Sequence, residues 1–210
     1  MRALVLALLL AAPAHASGPV PFDDAWIEQN FRLFSGNDYR MAGSAMEVQS
    51  EGAVSLMWRV LPQSFWAARR AGWDWAVEAG VPATDLRVKG GDDRNLALYF
   101  VFLPEDEAQA MAGRPNIRRL LGSEEARVLV YVWGGERAGM LDSPYLGPRG
   151  KTVVLRAAGE GAHVEGVDLA ADYARAFGGT APALVGLAVS ADSDDTASVI
   201  RARVAGLRVE

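Results

Sequence analysis

Apolar residues in this chain alternate with polar ones, or run unbroken for a few positions, far more often than they recur at helical spacing. Across Val54–Val60 the even positions are apolar, while Ser55 and Arg59 point the other way. Ala71, Trp73, Trp75 and Val77 likewise share a face opposite Asp74 and Glu78. Such alternation predicts half-buried strands of an antiparallel sheet with one wet side. Three runs are apolar at nearly every position: Leu96–Leu103, Val128–Trp133 and Leu184–Val189. They predict central strands covered on both faces. Met46–Gln49 and Lys151–Leu155 add shorter strands. Near the C-terminus, Ile200, Ala202 and Val204 alternate with Arg201 and Arg203, after which Leu207 and Val209 take over the apolar role. A one-residue slip turns every side chain over, so a bulge at Gly206 is needed to restore the inward face.

Helical signals are few. Pro104–Ala112 carries proline and acids in its first turn, as a helix start should. Asp168–Phe177 begins on a capping aspartate and stops before Gly178, the usual residue just past a helix end. Two short helices among about eight strands predict an all-β, antiparallel β-sandwich or jelly roll rather than βα units.

The first sixteen residues stand apart from this pattern. Met1-Arg2 is followed by an unbroken apolar run, Ala3–Ala12, then Pro13 and the small-x-small triplet Ala14-His15-Ala16. This is the form of an export signal cut after Ala16. The run is too short to span a bilayer, which takes roughly 20 apolar residues. The expected organisation is therefore a signal peptide (1–16), a lead-in (17–30) and a single sandwich (31–210), located in the periplasm or secreted, with no membrane insertion after cleavage. No cysteine is present, so the domain must hold by packing alone. Loss of Arg2 with the leader takes the net charge from −5 to −6, which disfavours nucleic acid as a partner.

Charge and composition also narrow the chemistry. After cleavage His163 is the one histidine left, in the glycine-rich segment GEGAHVEG that reads as a surface loop. With no G-x-S-x-G elbow, a serine triad has no framework. Cysteine nucleophiles and Cys/His zinc sites lack their ligands. What remains is carboxylate. Gly90-Gly91-Asp92-Asp93 precedes one buried run and Asp192-Ser193-Asp194-Asp195-Thr196 follows another. Such acids suit three roles: turns, in which Asp, Ser and Gly bond their own backbone; calcium ligands, with Asp192, Asp194 and Asp195 the candidate set; or an acid–base pair, as in glycoside hydrolysis. The second cluster is no EF-hand, because Ala197 and Arg203 stand where Gly and Glu are required. Of the six tryptophans, Trp58, Trp73 and Trp75 sit on apolar strand faces where core packing explains them. Trp66, Trp133 and Tyr145 are less determined. With Asp92 and Asp93 they are the candidate ligand-binding residues, and no catalytic residue is assigned.

The order of these segments is familiar. The W-x-W strand (Trp73, Trp75), K-G-G-D-D (Lys89–Asp93) before L-Y-F-V-F, Y-V-W-G (Tyr131–Gly134), S-P-Y (Ser143–Tyr145), D-L-A-A-D-Y-x-x-A-F-G (Asp168–Gly178) and D-S-D-D-T together resemble the exported bacterial proteins of domain-of-unknown-function family 3047. One departure is Asp195, where that family's pattern has Asn. The resemblance implies a jelly roll of the galactose-binding-like kind and no particular activity. A non-enzymatic domain binding a glycan or another extracytoplasmic ligand is the leading expectation. A carboxylate-based enzyme acting on polysaccharide and an envelope assembly subunit are the alternatives. No cofactor is required, calcium being the one the Asp loops would hold.

Overall fold

Strands form where alternation and apolar runs predict them, and pairing sorts them into two sheets that face one another. The computed structural model of the protein describes residues 18–31, 36–111 and 116–210. The leader, residues 1–16, lies outside the described residues. In chain order the elements are β1 (Gly18–Pro19), β2 (Ile27–Asn30), β3 (Asp38–Met41), β4 (Ala45–Glu51), β5 (Val54–Val60), β6 (Arg70–Ala79) and β7 (Arg94–Leu103). They continue with α1 (Glu105–Met111), α2 (Ile117–Gly122), β8 (Arg127–Trp133), β9 (Gly139–Ser143), β10 (Gly147–Arg156), β11 (Gly161–Asp168), α3 (Leu169–Phe177), β12 (Ala183–Asp192) and β13 (Val199–Val209). One sheet runs β11-β6-β13-β4-β3, with β1 added on β13; the other is seven-stranded, β2-β5-β12-β7-β8-β10-β9. Among the described residues no helix is long and apolar enough to cross a membrane.

The main core lies between the sheets. Trp73 and Trp75 from β6 meet Phe100 from β7 and Tyr131 and Trp133 from β8, with neighbouring ring centroids 5.5–6.0 Å apart. The far side of the six-stranded sheet is wet. Asp74 and Glu78 on β6 and Arg201 and Arg203 on β13 are exposed there, as the alternation predicts. The three doubly apolar runs became β7, β8 and β12, the middle of the larger sheet, and their second face is covered as well.

Gly206 makes the expected bulge. Pairing with β6 steps from Ala205↔Asp74 to Arg208↔Gly72, so β13 carries one extra residue there. Gly206 takes a φ of 59°, and Val204 and Leu207 both face the core. Helix α3 starts as its sequence says, with the Asp168 carboxylate accepting the Ala171 N–H at 2.9 Å.

Several expectations need correction. Among the described residues the sandwich takes in positions ahead of residue 31: β1 and β2 pair into the two sheets, and Val20, Phe22 and Trp26 are core residues. The lead-in had no periodicity because its strands are edge strands of two and four residues. Not every pair is antiparallel. β10 runs parallel to β8, because β9 passes beyond the position of β10 and a tight turn returns the chain between them. A third helix, α2, was missed. It is one short turn-rich element held by its cap, where Asn116 Oδ1 accepts from Arg118 N and Arg119 N. The glycine-rich segment around His163 is strand β11, registered on β6, and His163 stacks edge-on against Trp133. β5 has no wet face: Met57 enters the inter-sheet core, and Ser55 is buried because Asn37 N and Glu28 satisfy its hydroxyl.

Gly206→Ala should destabilise the domain by roughly 1–2 kcal/mol, the cost of a left-handed conformation for a residue with a Cβ. A urea titration with a lowered midpoint and unchanged slope is the expected result.

Candidate functional site

The larger sheet turns alternate residues of β5, β7, β8, β10 and β12 away from the inter-sheet core. Leu56 and Trp58, Tyr99 and Val101, Val128, Val130 and Val132, Thr152, and Ala188 make an apolar floor there. Something must cover so much apolar surface. Part of the cover is α2, whose Leu120 lies against β12 at Gly186, 3.5 Å from where a Cβ there would stand. Another part is the β9–β10 turn, with Pro144, Tyr145 and Leu146. Between floor and cover lies a cavity of about 430 Å³. That is the size of a small-molecule site, for which roughly 300–1,000 Å³ is usual.

One end of this cavity is ionic. Arg94 opens β7 and Asp192 closes β12, and the antiparallel register places them opposite one another. Arg94 Nη1 donates to Asp92 Oδ2 at 3.0 Å and to Asp192 Oδ2 at 3.1 Å, while Nη2 donates to the Tyr99 hydroxyl at 2.9 Å. The Tyr145 hydroxyl donates to Asp92 Oδ1 at 3.0 Å from the covering turn. Asp93 points elsewhere. Its carboxylate accepts from Thr196 N (2.7 Å), Thr196 Oγ1 (2.6 Å) and Asp195 N (3.3 Å), pinning the turn after β12. Asp93, Asp192 and Asp194 each bring a carboxylate oxygen to within 4.8 Å of the others.

Burial and electrostatics follow from that packing. Burial pushes the Asp192 carboxyl up to about 7; Arg94 opposes the rise, and Asp93, Asp194 and Asp92 add to it. Burial works against the Arg94 charge, yet Tyr99, Asp192 and Asp92 outweigh it and hold the guanidinium above its ordinary value. Burial, then the Asp92 charge, raises the Tyr145 hydroxyl.

The structure brings together Asp92, Tyr145, Asp192, Asp194 and Asp195 from the sequence-predicted set, all lining the cavity. Asp93 is adjacent and fully buried. It also stands in the acidic trio where Asp195 was expected. Two candidates fall away. Trp66 is buried, its indole N–H donating to Leu61 O, so it offers no stacking face. Trp133 is buried between Trp75 and His163 in the inter-sheet core. Conversely, Trp58, set aside as a core-packing residue, lies on the cavity floor. Arg94, Tyr99 and Phe31 were missed. The signal for Arg94 was present: pairing the run after Asp93 antiparallel to the run before Asp192 puts both acidic loops at one end of the sheet.

Fold and site define a class: a two-sheet β-sandwich protein with a ligand-sized cavity, acidic at one end, on the outer face of its larger sheet. The chain belongs to the family described as Protein of unknown function (DUF3047), matched over residues 24–208. No curated protein matches the sequence. Among solved structures it is similar to the xyloglucanase domain of NopAA, a type three effector from Sinorhizobium fredii, in complex with cellobiose. The identity is 10%, the TM-score 0.46, and the match covers 93% of this chain and 98% of that one. It is also similar to the family 11 xylanase from Neocallimastix patriciarum, at 12% identity and TM-score 0.47, over 93% and 94% of the two chains. Neither likeness carries residues or ligands across.

The Asp192 environment gives a pH signature. Its pKa is about 7 in the folded chain and about 3.9 when unfolded. The folded state therefore favours the protonated form, and this contribution is full below about pH 4 and lost as pH rises through about 7. In metal-free buffer, the stability of the parent minus that of Asp192→Asn should fall across this interval by an amount on the order of a few kcal/mol. Urea titrations at pH 4.5, 6 and 8 check it; a flat difference would contradict the assignment.

Proposed function

We propose that this protein is an exported, non-enzymatic binding domain that holds part of a glycan in the cavity on the outer face of its seven-stranded sheet. The observation that carries this reading is the cavity itself, a ligand-sized concavity with an apolar floor and convergent polar groups at one end. Phe31 and Tyr145 line it yet are 57% and 59% exposed, so both offer ring faces at the rim. Sugars present an apolar ring face and hydroxyls together. The floor and rim suit the first, and the carboxylates of Asp92 and Asp194 suit the second as acceptors. Export rests on the leader pattern in residues 1–16, and the periplasm or the extracellular space is the compartment it proposes.

A second reading is favoured by one observation. The two acidic segments, far apart in sequence, converge on a single cavity, as an acid–base enzyme acting on polysaccharide would need.

Affinity electrophoresis against cell-wall and plant polysaccharides should show retardation by at least one of them. Calorimetry with oligosaccharides of that polymer should then show Tyr145→Ala weakening binding at least about tenfold, the loss of roughly 1.4 kcal/mol. Retardation by none would count against the binding reading. Release of reducing ends from the bound polymer, lost in Asp192→Asn, would favour the enzyme.

A further inference from the structure

Acidic side chains from two separate loops meet at one end of the cavity. Arg94 serves both Asp92 and Asp192, while Asp93, Asp192 and Asp194 crowd their oxygens within 4.8 Å. Turn chemistry accounts for Asp93, whose carboxylate is held by the Thr196 hydroxyl and by two backbone N–H groups. It does not account for Asp192. That residue is only 7% exposed, and its Oδ2 meets Arg94, but its Oδ1 is buried with no hydrogen-bond partner. A buried acceptor left unsatisfied costs about 1–3 kcal/mol, and more when charged. A cation bound at Oδ1 would remove that cost.

We propose that Asp93, Asp192 and Asp194 form a binding site for a hard divalent cation, with calcium the best fit. The donors are all carboxylate oxygens, with no nitrogen or sulfur, which favours calcium, magnesium or manganese over zinc or copper. Geometric tolerance decides among these. Calcium binds oxygen at about 2.3–2.6 Å and accepts irregular, flexible coordination, which suits carboxylates brought together from two loops. Magnesium, at about 2.0–2.1 Å, demands near-ideal octahedral geometry and gives up its waters reluctantly, so it suits them less. Thr196 and Asp195 N hold the Asp93 carboxylate in place, as outer partners orient metal ligands. The cation also answers the mutual repulsion of the three acids. The site joins β7's approach to the turn after β12, so binding would tie two loops at the cavity's polar end. It stands whatever the cavity holds, and its test needs no sugar.

The full mature chain, stripped of metal with EDTA, is titrated with calcium and with magnesium by calorimetry. A parallel terbium titration reads sensitised emission from the cavity's Trp58, Tyr99 and Tyr145. The expected result is one calcium site of submillimolar affinity, weaker magnesium binding, and terbium emission quenched by added calcium. Asp194→Asn and Asp192→Asn should each weaken calcium at least about tenfold, the loss of one charged ligand. Glu78→Gln, on the exposed face of the other sheet, should leave it unchanged. Far-UV circular dichroism establishes that each variant is folded. No calcium binding by the parent chain at about 10 mM would overturn the site, as would affinity retained in either folded Asp variant.

Discussion

The middle strands of the larger sheet are apolar on both faces, and the architecture follows from having to bury both. β7, β8 and β12 turn Phe100, Tyr131 and Leu187 towards the six-stranded sheet, whose tryptophans complete the main core. They turn Val101, Val130 and Val185 the other way, where no third sheet exists among the described residues. The chain covers that second face with what lies between strands: α1 and α2 from the β7–β8 connection and the Tyr145 turn from the β9–β10 hairpin. Short helices and a turn cannot tile a sheet as closely as another sheet does. The cavity is the uncovered remainder, so the candidate site is a direct consequence of double-sided burial.

Strand order then decides what chemistry reaches that cavity. β7 and β12 are antiparallel neighbours, so the loop entering one and the loop leaving the other meet at the same end. Both loops are aspartate-rich. Arg94 offsets part of their charge at the first position of β7, and Asp93 turns away to lock the opposite loop. Buried ionic groups of this kind carry a desolvation cost that their pairing rarely recovers in full. Their concentration beside a ligand-sized cavity, on a sheet otherwise apolar, is the pattern expected of a functional site.

Reading residues one strand at a time served some positions and failed others for identifiable reasons. The face of β6 was legible because one side of its sheet is wet and alternation reports it. The bulge at Gly206 was legible because a strand can keep its apolar side chains inward across a phase flip only by adding a residue. Trp66 and Trp133 were misjudged because a tryptophan beside a turn or a strand end looks the same in sequence whether its ring faces solvent or core. Trp58 was placed on an apolar face correctly, but a strand covered on both sides has two such faces, and sequence does not say which one meets the other sheet. His163 was hidden by glycines that sit in an edge strand, where period-two patterning is weakest.

The sequence by itself determined the class of fold, the doubly buried central strands, the bulge, two of the helix boundaries and the presence of carboxylates as the main reactive groups. Those properties are local: each is carried by the spacing of side chains within one element. Tertiary structure alone decided that β10 inserts parallel to β8, that β1 and β2 join the two sheets, and that Asp92, Arg94, Asp192 and Tyr145 share one cavity. These depend on which strands become neighbours and in what register, and that is set by the summed burial of the whole chain rather than by any segment of it.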